Sequence, residues 1–161
     1  MQLWTFVQSE RAILSLSSLT IDGGFLKAGD PSPHMSVQFK NGGRNTAFAE
    51  YTAFGISFDP SLPREPKYNS LPAFSTQPIP ADGNTTFNTT VTLTRSLTSD
   101  EIDRIKSGKI RLSIFGYIKY FDTIWPFSSR YTGFCSVYMA PPAGEGQFYN
   151  SCPERDYTYV N

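Results

Sequence analysis

Apolar and polar side chains alternate along several short stretches of the chain, and this period of two is typical of β-strands with one buried face. The alternation is clear over residues 35–40, 47–58 and 87–93. It recurs over residues 110–119 and, more briefly, over residues 134–139. The pattern therefore predicts at least five strands. Their apolar sides, which include Val37, Phe39, Phe54, Ile56, Val91, Leu93, Leu112 and Ile114, are expected to share one core.

A further, irregular strand is predicted over residues 13–21, because its apolar residues change faces halfway along. A β-bulge near Ser17 and Ser18 inserts one residue and accounts for the change. Asn41-Gly42-Gly43 predicts a tight turn in which the chain reverses. Six prolines between Pro60 and Gly83 remove ladder donors, so we expect a long surface connection without a central strand there.

One short helix is predicted over residues 98–107. Thr98 and Glu101 have the spacing of a capping box, and Gly108 supplies a residue that tolerates the left-handed helix stop. Several short strands separated by turn signals, with one connecting helix, predict an all-β fold, specifically an immunoglobulin-like antiparallel β-sandwich. We divide the chain into an N-terminal lead-in, residues 1–11, and a β-sandwich domain, residues 12–161.

The charge of the chain is balanced, with 14 Lys and Arg against 14 Asp and Glu. Neither sign forms a long block, which argues against nucleic acid as a partner. Charged residues make up only 17% of the chain and aromatic residues 15%. The composition therefore favours contact surfaces that work by apolar burial over electrostatic capture.

The residues that most catalytic and metal sites require are scarce. One His and two Cys cannot supply a four-ligand zinc site, and the acidic residues in loops lack calcium-loop spacing. A nucleophilic pair of His34 and Cys135 is formally available, but a surface His and a buried strand Cys are the ordinary interpretation. We therefore expect no enzyme activity, no cofactor and no metal. Cys135 and Cys152 are expected to form a disulfide in an oxidising compartment.

Aromatic residues supply the one candidate binding surface. On the strand around residues 110–121, the face opposite the isoleucines carries several of them, and more follow shortly after. Aromatics opposite a core face can form a platform for a peptide, a sugar or a partner protein. The alternative is that this face is itself covered, by the Pro-rich connection or the N-terminal segment. The candidates are Phe115, Tyr117, Phe121 and Trp125, followed by Phe127 and Tyr131.

Several short motifs together resemble a group of uncharacterised bacterial proteins, in which a similar domain follows one or two membrane-spanning helices. The resemblance covers about residues 10–153, and the group usually has Pro where this chain has Thr46. The segment 41–47 is also similar to a hairpin of bacterial immunoglobulin-like adhesive modules. The motifs lie at residues 10–12, 41–47, 97–102, 115–122, 132–135 and 152–153.

The resemblance implies membrane association, with the cell envelope favoured and the side of the membrane left open. Residues 1–11 would then be the end of a juxtamembrane helix, and the membrane would be reached only through a segment absent from this chain. We expect a non-catalytic structural or protein-interaction domain whose partner is a protein or a cell-envelope component. The alternative is a ligand-binding module for a peptide or glycan on the aromatic face.

Overall fold

The computed structural model describes residues 10–23, 26–71, 77–124, 128–139, 147–149, 152 and 157–160. Most of the predicted lead-in, together with Trp125 and Phe127, lies outside these residues. Nine strands and one helix form within them. In chain order these are β1 Leu14–Ile21, β2 His34–Asn41, β3 Ala47–Ser57, β4 Asn69–Leu71, β5 Pro78–Ile79, β6 Thr86–Thr92, α1 Ser99–Lys106, β7 Ser113–Asp122, β8 Arg130–Met139 and β9 Gln147–Tyr149.

The strands form two antiparallel sheets that pack together. The small sheet has the order β1-β2-β6, and the large sheet has the order β4-β3-β7-β8-β9, with β5 also paired to β3. Every pair among these strands is antiparallel. The prediction of an all-β sandwich with one short helix is confirmed.

The core lies between the two sheets and is shared by them. The ring of Phe39 on β2 meets that of Phe134 on β8 at a centroid distance of 5.6 Å, and Phe54 on β3 meets Phe134 at 5.9 Å. The residues that alternation assigned to the core are in this cluster, with Ile56 packed at its margin. Period-two alternation therefore identified the buried face correctly.

The turn after β2 joins the two sheets, and the predicted hairpin is wrong, because β2 lies in the small sheet and β3 in the large one. Asn41 is buried and holds this crossing. Its Oδ1 accepts hydrogen bonds from Ile13 N at 3.2 Å and Gly43 N at 3.0 Å. Its Nδ2 donates to Asn45 O at 2.6 Å and Ile79 O at 2.9 Å. These four side-chain hydrogen bonds take the place of the backbone hydrogen bonds that a β-hairpin would have formed between β2 and β3.

The helix and the bulge form as predicted. Thr98 Oγ1 accepts from Glu101 N at 3.2 Å, while Glu101 Oε2 accepts from Thr98 N at 2.9 Å, which completes the capping box. Gly108 has a φ of 72°, in the left-handed region that ends the helix. The β1–β2 register shifts between Leu16 and Ser18. These features depend on neighbouring residues alone.

The Pro-rich connection contains no central strand, as expected, but it is not only a loop. Two short pieces of it, β4 and β5, pair with the outer edge of β3. The strand predicted from residue 110 begins at Ser113, although Leu112 is buried. Strand β9 was not predicted. The connection therefore extends the large sheet and approaches its outer surface.

Candidate functional site

The side of the large sheet that faces away from the small sheet carries a second group of aromatic rings. We call it the outer aromatic face. Its central row comes from β7, where Phe115, Tyr117 and Phe121 point outward while Ile114 and Ile118 point into the core. Small residues flank this row: Phe115 lies opposite Gly55, and Tyr117 lies opposite Ala53 and Gly133. The small neighbours leave room for other segments to lie over the sheet.

Phe115 is covered and therefore differs from its predicted role as an exposed contact. Only 2% of it is accessible. The ring of Tyr157 meets it edge-on at 4.9 Å, and Tyr68 meets it at 5.8 Å. With Leu62 and Cys135 it forms a second, smaller core on the outside of the sheet. Phe115 thus contributes to stability and is not available to a partner.

The C-terminal residues fasten this covered end. Cys135 on β8 and Cys152 form a disulfide with their Cα atoms 5.5 Å apart, as predicted. Gly133 N donates to Tyr159 O at 2.8 Å, and the hydroxyl of Tyr157 donates to Pro63 O. We call Cys152 and residues 157–160 the C-terminal cover. The covered-face alternative therefore holds at this end, although the cover comes from the Pro-rich connection and the C terminus.

The other end of the outer aromatic face is half exposed. Tyr51 on β3, Tyr117 on β7 and Tyr131 on β8 lie side by side, and we call them the tyrosine patch. Tyr117 lies 6.0 Å from Tyr51 and 5.8 Å from Tyr131, measured between ring centroids. Tyr68 meets Tyr117 edge-on at 5.1 Å, and the ring of Tyr159 lies over Gly133, opposite Tyr117, so the C-terminal cover borders the patch. Of the aromatic residues predicted for the binding surface, Tyr117 and Tyr131 lie within this patch.

A charged pair lies within the patch, because Lys119 is opposite both Tyr51 and Tyr131 in the register, and a stacked pair of rings lies beyond it. Lys119 Nζ lies 3.3 Å from Glu50 Oε2, which also accepts from Ser129 Oγ at 2.8 Å. Phe121 stacks on Phe48 with ring centroids 5.1 Å apart and an interplanar angle of 13°. Phe121 therefore lies on the predicted face, but it is half-buried against Phe48, two positions along β7 from Lys119.

Two phenols of the outer face, those of Tyr68 and Tyr117, have a raised pKa and hold their protons more firmly than a free tyrosine. Burial, followed by the neighbouring Tyr159, Tyr157 and Tyr117, raises the pKa of Tyr68 to about 12. Burial is also the first cause that raises the pKa of Tyr117, and Tyr51 is the second. A protonated phenol donates and accepts hydrogen bonds but is a weak nucleophile. The patch is thus suited to contact and hydrogen bonding.

The residues considered for catalysis do not come together. His34 is on the exposed side of the small sheet, where its Nδ1 lies 2.9 Å from Thr92 Oγ1. Cys135 is on the large sheet and is bonded to Cys152, so the His34–Cys135 pair does not form. Within the described part of the chain, no three His, Cys, Asp or Glu side chains gather in a way that could hold a metal ion.

Sequence reasoning missed Tyr51, Tyr68, Tyr157 and Tyr159. Tyr51 was placed in a strand, but the register shift between Ala49 and Tyr51 decides which face it occupies. The tyrosines near the C terminus carry one signal that was available: they follow Cys152 closely, so a disulfide to Cys135 brings them onto the large sheet. No comparable signal exists for Tyr68.

Comparison with family models, with curated proteins and with solved structures finds no match to this chain. Among the described residues, no helix combines the length and the apolar character that crossing a bilayer requires. The fold and the site together define a class: an all-β sandwich whose large sheet carries an aromatic outer face, covered at one end and half exposed at the other.

Proposed function

We propose that this chain is a non-catalytic, immunoglobulin-like interaction domain that contacts a protein or cell-envelope partner through the tyrosine patch. The observation that carries the proposal is the half-buried cluster of Tyr51, Tyr117 and Tyr131, whose rings lie 5.8 to 6.0 Å apart around Tyr117. Tyrosine combines a large apolar ring with a hydroxyl, and it is enriched where one surface must bind another. The rings are held against one another by the sheet, so little conformational freedom is lost when a partner binds.

The immunoglobulin-like part of the proposal rests on strand order. In immunoglobulin domains the first, second and fifth strands lie together in one sheet, and the third, sixth and seventh lie in the other. Here β1, β2 and β6 form the small sheet, while β3, β7 and β8 lie adjacent in the large sheet. The disulfide is a departure, because it joins β8 to the C-terminal cover and does not bridge the two sheets.

Localisation at a membrane or in the cell envelope is supported by two considerations. The first is the resemblance of residues 10–153 to bacterial domains that follow membrane helices. The second is the disulfide between Cys135 and Cys152, since disulfides persist in oxidising compartments such as the bacterial periplasm. The resemblance supports membrane association, and the disulfide favours the oxidising side of a membrane.

Site-specific photo-crosslinking tests the partner surface. A benzoylphenylalanine at Tyr131 should crosslink the partner in intact membranes, whereas the same residue at the exposed Thr20, on the small sheet, should not. The double variant Tyr117→Ala, Tyr131→Ala should lose the partner while remaining folded at the assay temperature, although the lost ring contacts lower its unfolding midpoint. Equal crosslinking at both positions, or full partner recovery by the folded double variant, would reject the patch.

A second candidate is a ligand-binding module for a peptide or glycan on the same patch. The hydroxyls of neighbouring phenols favour it, because rings and hydroxyls together can stack on a sugar and hydrogen-bond to it. Titration with defined oligosaccharides and peptides, followed by tyrosine fluorescence, tests it. Saturable binding that Tyr117→Ala removes would support this function, and an unchanged signal with crosslinking at Tyr131 would favour the protein partner.

A further inference from the structure

Strand β6 forms one edge of the small sheet. One hydrogen bond at its end identifies which of its residues bond to β2 and which face outward. Leu93 N donates to Pro33 O at 3.0 Å, and these residues are opposite each other in the β2–β6 register. Bonded and non-bonded pairs alternate in an antiparallel ladder. The bonded pairs therefore include Phe87, Thr89 and Val91. The residues whose backbone N–H and C=O groups point away from β2 are Thr86, Asn88, Thr90 and Thr92.

The other sheet edges in the described part of the chain are protected. Strands β4, β5 and β9 are two or three residues long, and β5 contains Pro78. Strand β1 is interrupted by its bulge, and its first residues are held by β8, where Thr132 Oγ1 donates to Leu14 O at 2.8 Å. Short length, proline, bulges and covering contacts are the usual means by which edges avoid pairing with other chains.

Among the described residues, none of these protections is found at strand β6. Its seven residues pair with β2 in an unbroken register, and none of them is Pro, Gly or a charged residue. Phe87 and Val91 are buried in the core, whereas Asn88, Thr90 and Thr92 are exposed. Threonine favours extended backbone. Within the described part of the chain, β6 is thus an unbroken, uncharged edge whose outward backbone groups pair with no other strand, and such an edge is a template for another strand.

We propose that this edge pairs with β6 of a second copy of the chain, antiparallel and about a two-fold axis at Thr89. This register uses all four outward backbone pairs, since it sets Thr86 opposite Thr92 and Asn88 opposite Thr90. It brings no like charges together. The two small sheets then become one continuous sheet, and the large sheets with their tyrosine patches stay on the outside.

The symmetry of this edge and its lack of charge favour this occupant. The four outward residues are placed evenly about Thr89 and none of them is charged, so a second copy meets each outward backbone pair of the first without a like-charge contact. The charged residues just beyond the strand are held within their own copy: Arg95 binds Glu101 at 2.8 Å, and Asp82 accepts hydrogen bonds from Asn84 N at 2.9 Å and Thr85 N at 2.8 Å. A second copy therefore supplies an edge of the same length that is complementary at every outward position.

Sedimentation velocity over a concentration series tests the proposal. The wild-type chain should shift from monomer to dimer as concentration rises, because an edge-to-edge contact is smaller than the roughly 1,200 Å² of a stable interface. The double variant Asn88→Lys, Thr90→Lys sets lysines opposite one another in two pairs and should remain monomeric. The matched control, Asn88→Ser, Thr90→Ser, should dimerise like wild type. A wild-type chain that stays monomeric throughout, or a lysine variant that still dimerises, would overturn the proposal.

Thr90→Pro supplies a second test. The backbone N–H of Thr90 points outward, so removing it breaks no hydrogen bond with β2. Proline is tolerated on an edge strand in that orientation. This variant should unfold at the wild-type midpoint and lose the dimer.

The register is tested with Thr89→Cys, which places two cysteines opposite each other on the axis at about 4.5 Å between Cα atoms. Oxidation should convert Thr89→Cys into a disulfide-linked dimer and leave Thr20→Cys as a monomer. A linked dimer of Thr20→Cys without one of Thr89→Cys would contradict the register.

The tyrosine patch lies on the large sheet and β6 on the small one. The partner contact and the dimer can therefore be disproved independently of each other. The variant Tyr117→Ala, Tyr131→Ala should dimerise as wild type does, and the lysine variant should still crosslink its partner through residue 131. A patch variant that loses the dimer would contradict the β6 register.

Discussion

The ring of Tyr157 lies edge-on against that of Phe115, with the two centroids 4.9 Å apart. This contact joins the C-terminal cover to the central strand of the large sheet. The disulfide between Cys135 and Cys152 holds the cover in place a few residues before Tyr157. The outer face of the sheet is therefore divided into a closed core around Phe115 and an accessible patch around Tyr117.

Removing the disulfide should destabilise the whole domain. The bridge spans a sequence separation of 17, and closing a loop of this length contributes roughly 3 kcal/mol in the chain-entropy model. The variant Cys135→Ser, Cys152→Ser should lower the free energy of unfolding in urea by about that amount. A reductant should have a similar effect on wild type and none on the variant. Equal stability of the oxidised and reduced wild-type protein would contradict the expectation.

Asn41→Ala should be one of the more harmful polar substitutions in the chain. It leaves the backbone donors of Ile13 and Gly43 and the acceptors of Asn45 and Ile79 without their partner in a buried place. Each buried polar group left unpaired costs about 1–3 kcal/mol. We expect a loss of at least about 2 kcal/mol in urea unfolding. The exposed Asn88→Ala is the control, and a similar small effect of both would show that water replaces the Asn41 side chain.

Glu101 should make the helix start sensitive to acid. Its hydrogen bond with Arg95, then that with Thr98, lowers the pKa of Glu101 to about 2. Because the folded-state pKa lies below the ordinary value of 4.5, the contribution is present above pH 4.5 and is lost as the pH falls towards 2. A carboxyl NMR titration should give the lowered pKa, and Arg95→Gln should raise it. Glu101→Gln should flatten the stability profile in this range, and an unchanged profile would contradict the assignment.

The features predicted from sequence are those that depend on near neighbours. Alternation identified the core residues Val37, Val91 and Leu112, and the capping box identified the helix start, because each requires only adjacent positions to agree. The sheet that a strand joins does not follow from adjacent positions in this way. The segment after Asn41 has the composition of a hairpin turn. The four hydrogen bonds of the Asn41 side chain instead hold this segment where the chain crosses into the large sheet.

The aromatic site shows the same division between local and distant information. Alternation placed Phe115 and Tyr117 on one face of β7, which is correct. It could not show that Tyr157 covers the first and leaves the second half exposed, since that depends on a segment about 40 positions away along the chain. The two cysteines were predictable as a pair because the chain has only two.

Alkaline pH should weaken the attachment of the outer face through Tyr68. Burial is the main cause that raises the pKa of Tyr68 from 10.0 to about 12, so the unfolded chain loses this proton before the folded protein does. Its contribution is therefore present below pH 10 and is lost as the pH rises towards 12. Tyr68→Phe keeps the ring contacts with Phe115 and Tyr117 but removes the ionising group. Urea unfolding between pH 9 and pH 11 should show a smaller loss of stability for Tyr68→Phe than for wild type. Parallel profiles for wild type and Tyr68→Phe would show that Tyr68 ionises equally in the folded and unfolded chains.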